Sequence, residues 1–228
     1  MSTTPTAIAP VESEQKRPQV IAQPTVVFRP PPPWKRAVDV VGSVFLLVVL
    51  LPVWAAIALY IRIVSRGPVV FCQERIGAGA QPFVIKKFRT MAVADTTRQH
   101  REYIASLTTS DKPTTKPTDD RVFIPGGKLL RSLSLDELPQ LLNVLAGDMS
   151  LVGPRPEVLL IEDYEPWQLR RFEVLPGISG LWQVSGKNSL TFKQMIELDI
   201  RYVDSLSPIL DLKIILKTFR VVFSRENR

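Results

Sequence analysis

Asp136 and Glu137 stand side by side in the run Leu130-Arg131-Ser132-Leu133-Ser134-Leu135-Asp136-Glu137-Leu138-Pro139-Gln140-Leu141-Leu142-Asn143, with Arg131 five residues upstream. Adjacent carboxylates near a cation are a candidate catalytic pair. The same residues have a purely structural reading: Ser134-x-x-Glu137 matches a capping box, and acidic residues favour a first helical turn. Pro139 weighs against that simple helix start. Lacking an N–H, it fits a first helical position, which leaves Asp136 and Glu137 on a turn just ahead of the helix.

Further cations occur in short, constrained contexts, in Lys86-Lys87-Phe88-Arg89-Thr90-Met91 and Gly153-Pro154-Arg155-Pro156. Arg155, held between two prolines in a loop expected to precede a helix, is a candidate preset anion ligand. Each of these cations could equally be a solvated charge or an ion-pair partner. The segment Pro176-Gly177-Ile178-Ser179-Gly180-Leu181-Trp182-Gln183-Val184-Ser185-Gly186-Lys187-Asn188 combines three glycines with an aromatic and an amide. It either seats a base or sugar through Gly177, Trp182 and Gln183, or is a glycine-rich loop covered by a core tryptophan.

The whole chain narrows the setting for these residues. Its 228 residues suit one domain with an appendage, and the single Cys72 and single His100 exclude a disulfide framework and a Cys/His zinc cluster. At 45% hydrophobic and 22% charged it can bury a core. The net charge of +7 suits nucleic acid, an anionic membrane surface or phosphorylated substrates, without choosing among them.

The elements that must position the candidate residues are legible in outline. Residues 1–33 hold eight of the 20 prolines and show no apolar periodicity, which predicts a disordered tail ending in a stiff polyproline run. From Val40 to Ile61 no residue is charged, a stretch of 22 that would make about 33 Å of helix. Pro52 near its middle predicts a break. Lys35 and Arg36 before it and Arg62 and Arg66 after it predict that both ends stay on the cytoplasmic side, each cation facing anionic headgroups. The segment, over 34–66, therefore reads as a re-entrant membrane helix broken at Pro52. A plain spanning helix, a cleaved signal peptide and a buried core helix are the alternatives.

From 67 to 228 the chain reads as one membrane-associated unit. Val69–Cys72 and Phe83–Lys87 around a Gly/Ala/Pro turn predict a β-hairpin, and Thr108–Asp120 predicts a surface loop. Helices are expected over Ala92–Leu107, Pro139–Ala146, Pro156–Tyr164, Phe192–Ser205 and Ile209–Phe223. In the last, Leu212, Ile215, Leu216, Phe219, Val222 and Phe223 recur at helical spacing beside the cations Lys213, Lys217 and Arg220. That pattern fits a helix lying in a membrane interface or one packed on its own core. The fold class is α+β and mostly helical, with a small β-hairpin and amphipathic interfacial helices.

Lys-Phe-Arg-Thr-Met at 87–91, the acidic run at 130–143, Met-Ser-Leu-Val-Gly-Pro-Arg-Pro at 149–156 and the glycine-rich run at 176–188 together resemble the bacterial sugar transferase family, the monotopic polyprenyl-phosphate phosphoglycosyl transferases. The resemblance covers roughly 34–226 and is nearest the compact, exopolysaccharide-initiating type. It implies transfer of a sugar-1-phosphate from a UDP-sugar to undecaprenyl phosphate, releasing UMP, with Mg²⁺ as cofactor. It further implies Asp136 as the nucleophile forming an aspartyl phosphosugar, and Glu137 as its partner through the metal or in acid–base work. Arg131 and Arg155 match phosphate-holding positions, and Lys87 a basic position near the site. The expected location is the bacterial inner membrane, with the catalytic part on the cytoplasmic face.

Those residue types suit that chemistry. Two anionic substrates meet an anionic nucleophile, so cations must neutralise the phosphate oxygens, and a covalent intermediate lets UMP leave before the lipid phosphate arrives. A noncatalytic membrane scaffold for polysaccharide assembly is the competing class, which would show a broken dyad or a missing arginine. Nucleic acid is not an expected partner, because no recognised reading motif is present. A homo-oligomer stays open.

Overall fold

The computed structural model describes residues 26–91, 122–186 and 189–223, for Val222 and Phe223 the backbone alone. The tail over 1–25, the helix expected over 92–107, the loop over 108–120, and Lys187 and Asn188 lie outside the described residues.

The uncharged stretch forms two helices, α1 (Pro33–Val49) and α2 (Leu51–Val64), bent by 64° where they meet. Neither alone is long and apolar enough to cross a bilayer. The bend falls at Leu50, two residues before Pro52, which occupies the first turn of α2. A proline acts backwards: it cannot donate to the carbonyl four residues earlier, so the ladder fails ahead of it.

The pair is amphipathic in the sense opposite to a water-soluble helix. Lys35, Asp39 and Ser43, four residues apart, are the buried face of α1, whereas Val41, Phe45, Val48, Leu51, Leu59 and Ile63 are exposed. The buried face is tied to the rest of the chain. Lys35 Nζ donates to Asp211 Oδ2 at 2.6 Å and to Val152 O at 2.9 Å, and Asp39 Oδ1 accepts from Ser150 Oγ and Leu151 N, both at 2.9 Å. Arg36 donates to the carbonyls of Val144 and Leu145 at 2.6 and 2.8 Å. Lys35 and Arg36 therefore do not face headgroups as their position in the sequence predicts. Lys35 is buried against two internal acceptors, and Arg36 is turned inward by two backbone carbonyls.

The hairpin is longer than expected. Strands β1 (Val70–Ile76) and β2 (Pro82–Phe88) pair antiparallel from Val70 opposite Phe88 to Ile76 opposite Pro82. The polar run Gln73-Glu74-Arg75 is strand because a two-stranded sheet needs only one apolar face. The turn over Ala78–Ala80 places Gly79 and Ala80 at positive φ.

After the hairpin come α3 (Gly127–Ser132), a 3₁₀ turn at Leu135–Glu137 and α4 (Gln140–Ala146). Two three-residue strands, β3 (Ser150–Val152) and β4 (Gly177–Ser179), pair in parallel and were not foreseen. The helix expected over Pro156–Tyr164 is absent. That segment is irregular, with one 3₁₀ turn at Ile161–Asp163. Its consecutive buried residues Val158 and Leu159 do not share one helical face, and arginines bond the carbonyls at its start: Arg171 Nη2 that of Arg155, just ahead of it, at 2.6 Å and Arg75 Nη1 that of Pro156 at 3.3 Å.

A 3₁₀ helix follows at Pro166–Glu173, and α5 (Phe192–Ser205) starts at a capping box in which Thr191 Oγ1 accepts from Gln194 N and Gln194 Oε1 from Thr191 N. In α6 (Pro208–Phe223), Asp211 and Ile214 are buried on the body, while Ile209, Leu212, Leu216 and Phe219 are exposed beside Lys213, Lys217 and Arg220. Core packing and an outward apolar stripe are thus two faces of one helix. The main core gathers Leu159, Phe172, Trp182, Phe192 and Ile196. Val26 packs on that core, and Arg29 N donates to Glu173 O at 2.7 Å, so Val26–Pro32 lie docked where the sequence predicts a loose tail.

Candidate active site

The turn carrying the carboxylates is built by two devices. Ser134 has φ 55°, a left-handed conformation that ends α3 and reverses the chain, and its side chain makes no cap hydrogen bond. The Ser134-x-x-Glu137 pattern is therefore not a capping box here. Pro139 directly precedes α4, one residue earlier than the first helical position, so Asp136 and Glu137 do lie just ahead of that helix.

Asn143 docks α4 on the hairpin. Its Nδ2 donates to Val84 O at 2.7 Å and its Oδ1 accepts from Lys86 N at 3.0 Å, so one side chain pairs the free edge of β2 as another strand would. That contact brings Lys87 to the turn. Lys87 Nζ stands 3.0 Å from Glu137 Oε1.

Arg155 reaches the same carboxylate from the other side, with Nη2 2.7 Å from Glu137 Oε1. Its loop is placed by glycine. A Cβ on Gly177 would fall 2.0 Å from Gly153 N, so only glycine lets β4 lie against the start of the Pro154–Pro156 loop. Gly177 N then donates to Pro154 O at 2.9 Å.

The two carboxylates are not equivalent. Glu137 is clamped by Lys87 and Arg155. Burial would push its carboxyl up, but those two charges and their hydrogen bonds hold it well below the usual carboxylate range. Asp136, 8% exposed, makes no ion pair among the described residues. Burial and then the Glu137 charge push it up to about 6, against the opposing pull of Lys87, Arg131 and Arg155. Glu137 in turn raises the Arg155 guanidinium, whereas burial lowers Lys87.

Lys87, Arg131 and Arg155 line one cavity of about 100 Å³ with Arg75, Ile85, Gln140, Pro156 and Glu157. The structure thus brings together Asp136, Glu137, Lys87, Arg131 and Arg155 as the sequence predicts. Arg75, Gln140 and Glu157 were missed. Arg75 is marked only by its place on an alternating strand, and Gln140 only by following Pro139 in the acidic run.

Gly177, Trp182 and Gln183 do not line that cavity. Trp182 is 6% exposed within the main core, and Gly177 serves the backbone approach just described. Arg89, in the same motif as Lys87, bonds the carbonyls of Ser65 and Arg66 at 3.0 and 2.6 Å and so closes the end of α2.

Among the described residues no group of three or more His, Cys, Asp or Glu side chains is placed to hold a metal. The dyad alone still suits Mg²⁺, which takes one or two carboxylates and completes its shell with water and substrate phosphates. Of the two, Asp136 makes no ion pair among the described residues and is the donor less engaged by the protein.

A buried carboxylate without a partner, beside one clamped by cations and next to a cation-lined cavity, has the make-up of a catalytic site for an anionic substrate. Residues 32–225 match the family described as bacterial sugar transferase, and the chain belongs to that family. It is 41% identical over 196 residues to the "Uncharacterized sugar transferase EpsL" of Bacillus subtilis (strain 168), covering 84% of this chain and 88% of that one. It is 39% identical over 202 residues to the "UDP-glucose:undecaprenyl-phosphate glucose-1-phosphate transferase" of Caulobacter vibrioides, covering 85% and 71%. The "Exopolysaccharide production protein ExoY" of Sinorhizobium fredii is 36% identical over 195 residues, covering 82% and 84%.

Proposed function

We propose that this chain transfers a sugar-1-phosphate from a UDP-sugar to undecaprenyl phosphate, releasing UMP, through a covalent phosphosugar on Asp136. The observation that carries this reading is the asymmetry of the dyad. Glu137 is ionised and held by Lys87 and Arg155, and Asp136 is buried, close to neutral pH in its titration, and unpaired. A nucleophile must keep its lone pairs free, and a carboxylate locked in ion pairs does not.

An Asp136 carboxylate oxygen attacks the sugar-bearing phosphorus, the bond from that phosphorus to the bridging oxygen breaks, and UMP leaves with the electron pair. A phosphate oxygen of undecaprenyl phosphate then attacks the same phosphorus, and the Asp136 oxygen departs as carboxylate. Lys87, Arg131 and Arg155 offset the negative charge that builds on the phosphoryl oxygens in both steps. Mg²⁺, held by Asp136 and Glu137, would add Lewis-acid neutralisation of the phosphates.

The helix pair supports a membrane setting. Its apolar side is outward, its polar side is fastened to the body, and its bend supports a re-entrant path that returns to the same face. In this reading the site lies at headgroup level on the cytoplasmic side of the bacterial inner membrane, where soluble nucleotide sugar and lipid phosphate meet.

Asp136→Asn in membranes given radiolabelled UDP-sugar should abolish both UMP release and the labelled protein adduct while the protein remains membrane-bound. Normal turnover by this variant would remove Asp136 as nucleophile. Cysteine probes ahead of Lys35 and after Arg66 should react from the cytoplasmic side only, and reaction from opposite sides would exclude the re-entrant path.

A further inference from the structure

Two buried donors on the wall of the cavity have no acceptor. Gln140 is 1% exposed and its Nε2 makes no hydrogen bond, and the Nε of Arg75 is likewise buried and unbonded. Buried donors are nearly always satisfied in folded proteins, so two orphans on one small cavity ask for an explanation. Nη1 and Nη2 of Arg75 each donate once, to Pro156 O at 3.3 Å and Gln73 Oε1 at 2.7 Å, which orients the guanidinium while Nε has no acceptor.

The charge of the cavity says what would satisfy them. Arg75, Lys87, Arg131 and Arg155 line it against one lining carboxylate, Glu157, while Glu137 pairs with Lys87 and Arg155 from behind, so the cations remain in excess. Burial chiefly disfavours the charged form of Arg75, Glu157 opposes this, and the like charge of Arg155 adds to it. An anion relieves that repulsion, and a water molecule does not. A cavity of about 100 Å³ has room for a tetrahedral phosphoryl group.

We propose that Arg75 and Gln140 are substrate-binding residues whose Nε and Nε2 donate to the oxygens of one phosphoryl group seated in this cavity, beside the reacting phosphorus. The inference rests on the phosphosugar-transfer reading and adds to it two residues and a defined seat. The phosphoryl group belongs either to the nucleotide sugar or to the lipid phosphate. A neutral amide supplies direction that cations alone do not, and a fixed Nε edge presents its N–H in one orientation.

Gln140→Leu keeps the buried volume and removes the orphaned amide. A residue kept for folding loses stability when so changed, whereas one kept for ligand does not. The variant should therefore melt at or above the wild-type temperature in detergent, yet be stabilised less by inorganic phosphate or pyrophosphate. It should also raise a substrate KM by about tenfold, the loss of roughly one hydrogen bond to a charged group.

Adduct formation without lipid, and KM for UDP-sugar against KM for undecaprenyl phosphate, assign the source. A defect in the first half-reaction marks the nucleotide sugar, and a defect confined to the second marks the lipid phosphate. Arg75→Lys, which keeps charge and removes the Nε donor, should shift the same KM. Wild-type anion stabilisation and wild-type KM values in Gln140→Leu would overturn the proposal. A wild-type protein that gives no adduct but is stabilised by phosphate in a Gln140-dependent way would overturn the transfer reaction and leave the seat standing.

Discussion

Arg155 Nη2 stands 2.7 Å from Glu137 Oε1, while Asp136, the next residue along the chain from Glu137, has no ion pair among the described residues. Adjacent side chains on a tight turn point in different directions, so two carboxylates one residue apart acquire opposite electrostatic fates. Functional assignment within the dyad follows from that divergence.

The pH dependence of adduct formation should show it. With Asp136 pushed up to about 6 and, as the proposed nucleophile, reacting as the carboxylate, the rate should fall about tenfold per unit as pH drops below that value. Glu137, held far lower, stays ionised there. Glu137→Gln removes a charge that raises Asp136 and frees Lys87 and Arg155 to act on it, so the acid limb should move to lower pH. A pH–rate profile of adduct formation checks the direction, and movement to higher pH would contradict it.

Arg155→Lys should not substitute for arginine. A guanidinium can hold Glu137 and also face a phosphoryl oxygen, and an ammonium lacks that planar fork. Both Arg155→Ala and Arg155→Lys should lower kcat/KM, the alanine by about 10²–10³, with little change in melting temperature for the lysine. Steady-state UMP release measures it.

Asn143→Ala leaves Val84 O and Lys86 N without their partner against α4. At about 1–3 kcal/mol per buried unpaired group, stability should fall, and activity should fall with it because Lys87 loses its register against the dyad. Thermal unfolding in detergent and turnover at reduced temperature separate the two effects.

Gly177→Ala drives a methyl into the backbone of Gly153. The expected loss is about 3 kcal/mol, at the upper end for overpacking, with displacement of the Arg155 loop. A variant with wild-type melting temperature and a defect in nucleotide affinity alone would instead assign Gly177 to the substrate pocket.

Lys35 and Asp211 form a buried pair, with side chains 3% and 6% exposed, that joins α1 to α6. Asp211→Asn strands a buried ammonium and should cost about 3–5 kcal/mol, seen as a lower melting temperature in detergent. Replacing both, Lys35→Met with Asp211→Leu, should recover most of that loss.

What was readable in the sequence was local. Pro52 broke the apolar stretch within two residues of where the bend falls. The helix expected over Phe192–Ser205 is α5 to the residue, and two short apolar segments around a Gly/Ala/Pro turn marked the hairpin. The helix expected over 156–164 is absent, and at its start Arg75 and Arg171, from outside the segment, bond the carbonyls of Pro156 and Arg155, contacts that no local pattern reports. Lys35 and Arg36 read as headgroup ligands for the same reason: their acceptors lie 176 and 108 residues away.

The sequence by itself determined the chemical inventory: an adjacent carboxylate pair, cations in short rigid contexts, an apolar stretch interrupted by proline, and motifs specific enough to place the chain in its family. Only the tertiary structure decided which cations serve the site. Lys87 and Arg155 meet at Glu137 although they are 50 and 18 residues from it, Arg89 closes a helix instead, and Arg75 joins the cavity unannounced. The physical reason is that charge and hydrogen-bonding capacity belong to the side chain, whereas pairing, burial and titration belong to the neighbours that folding supplies.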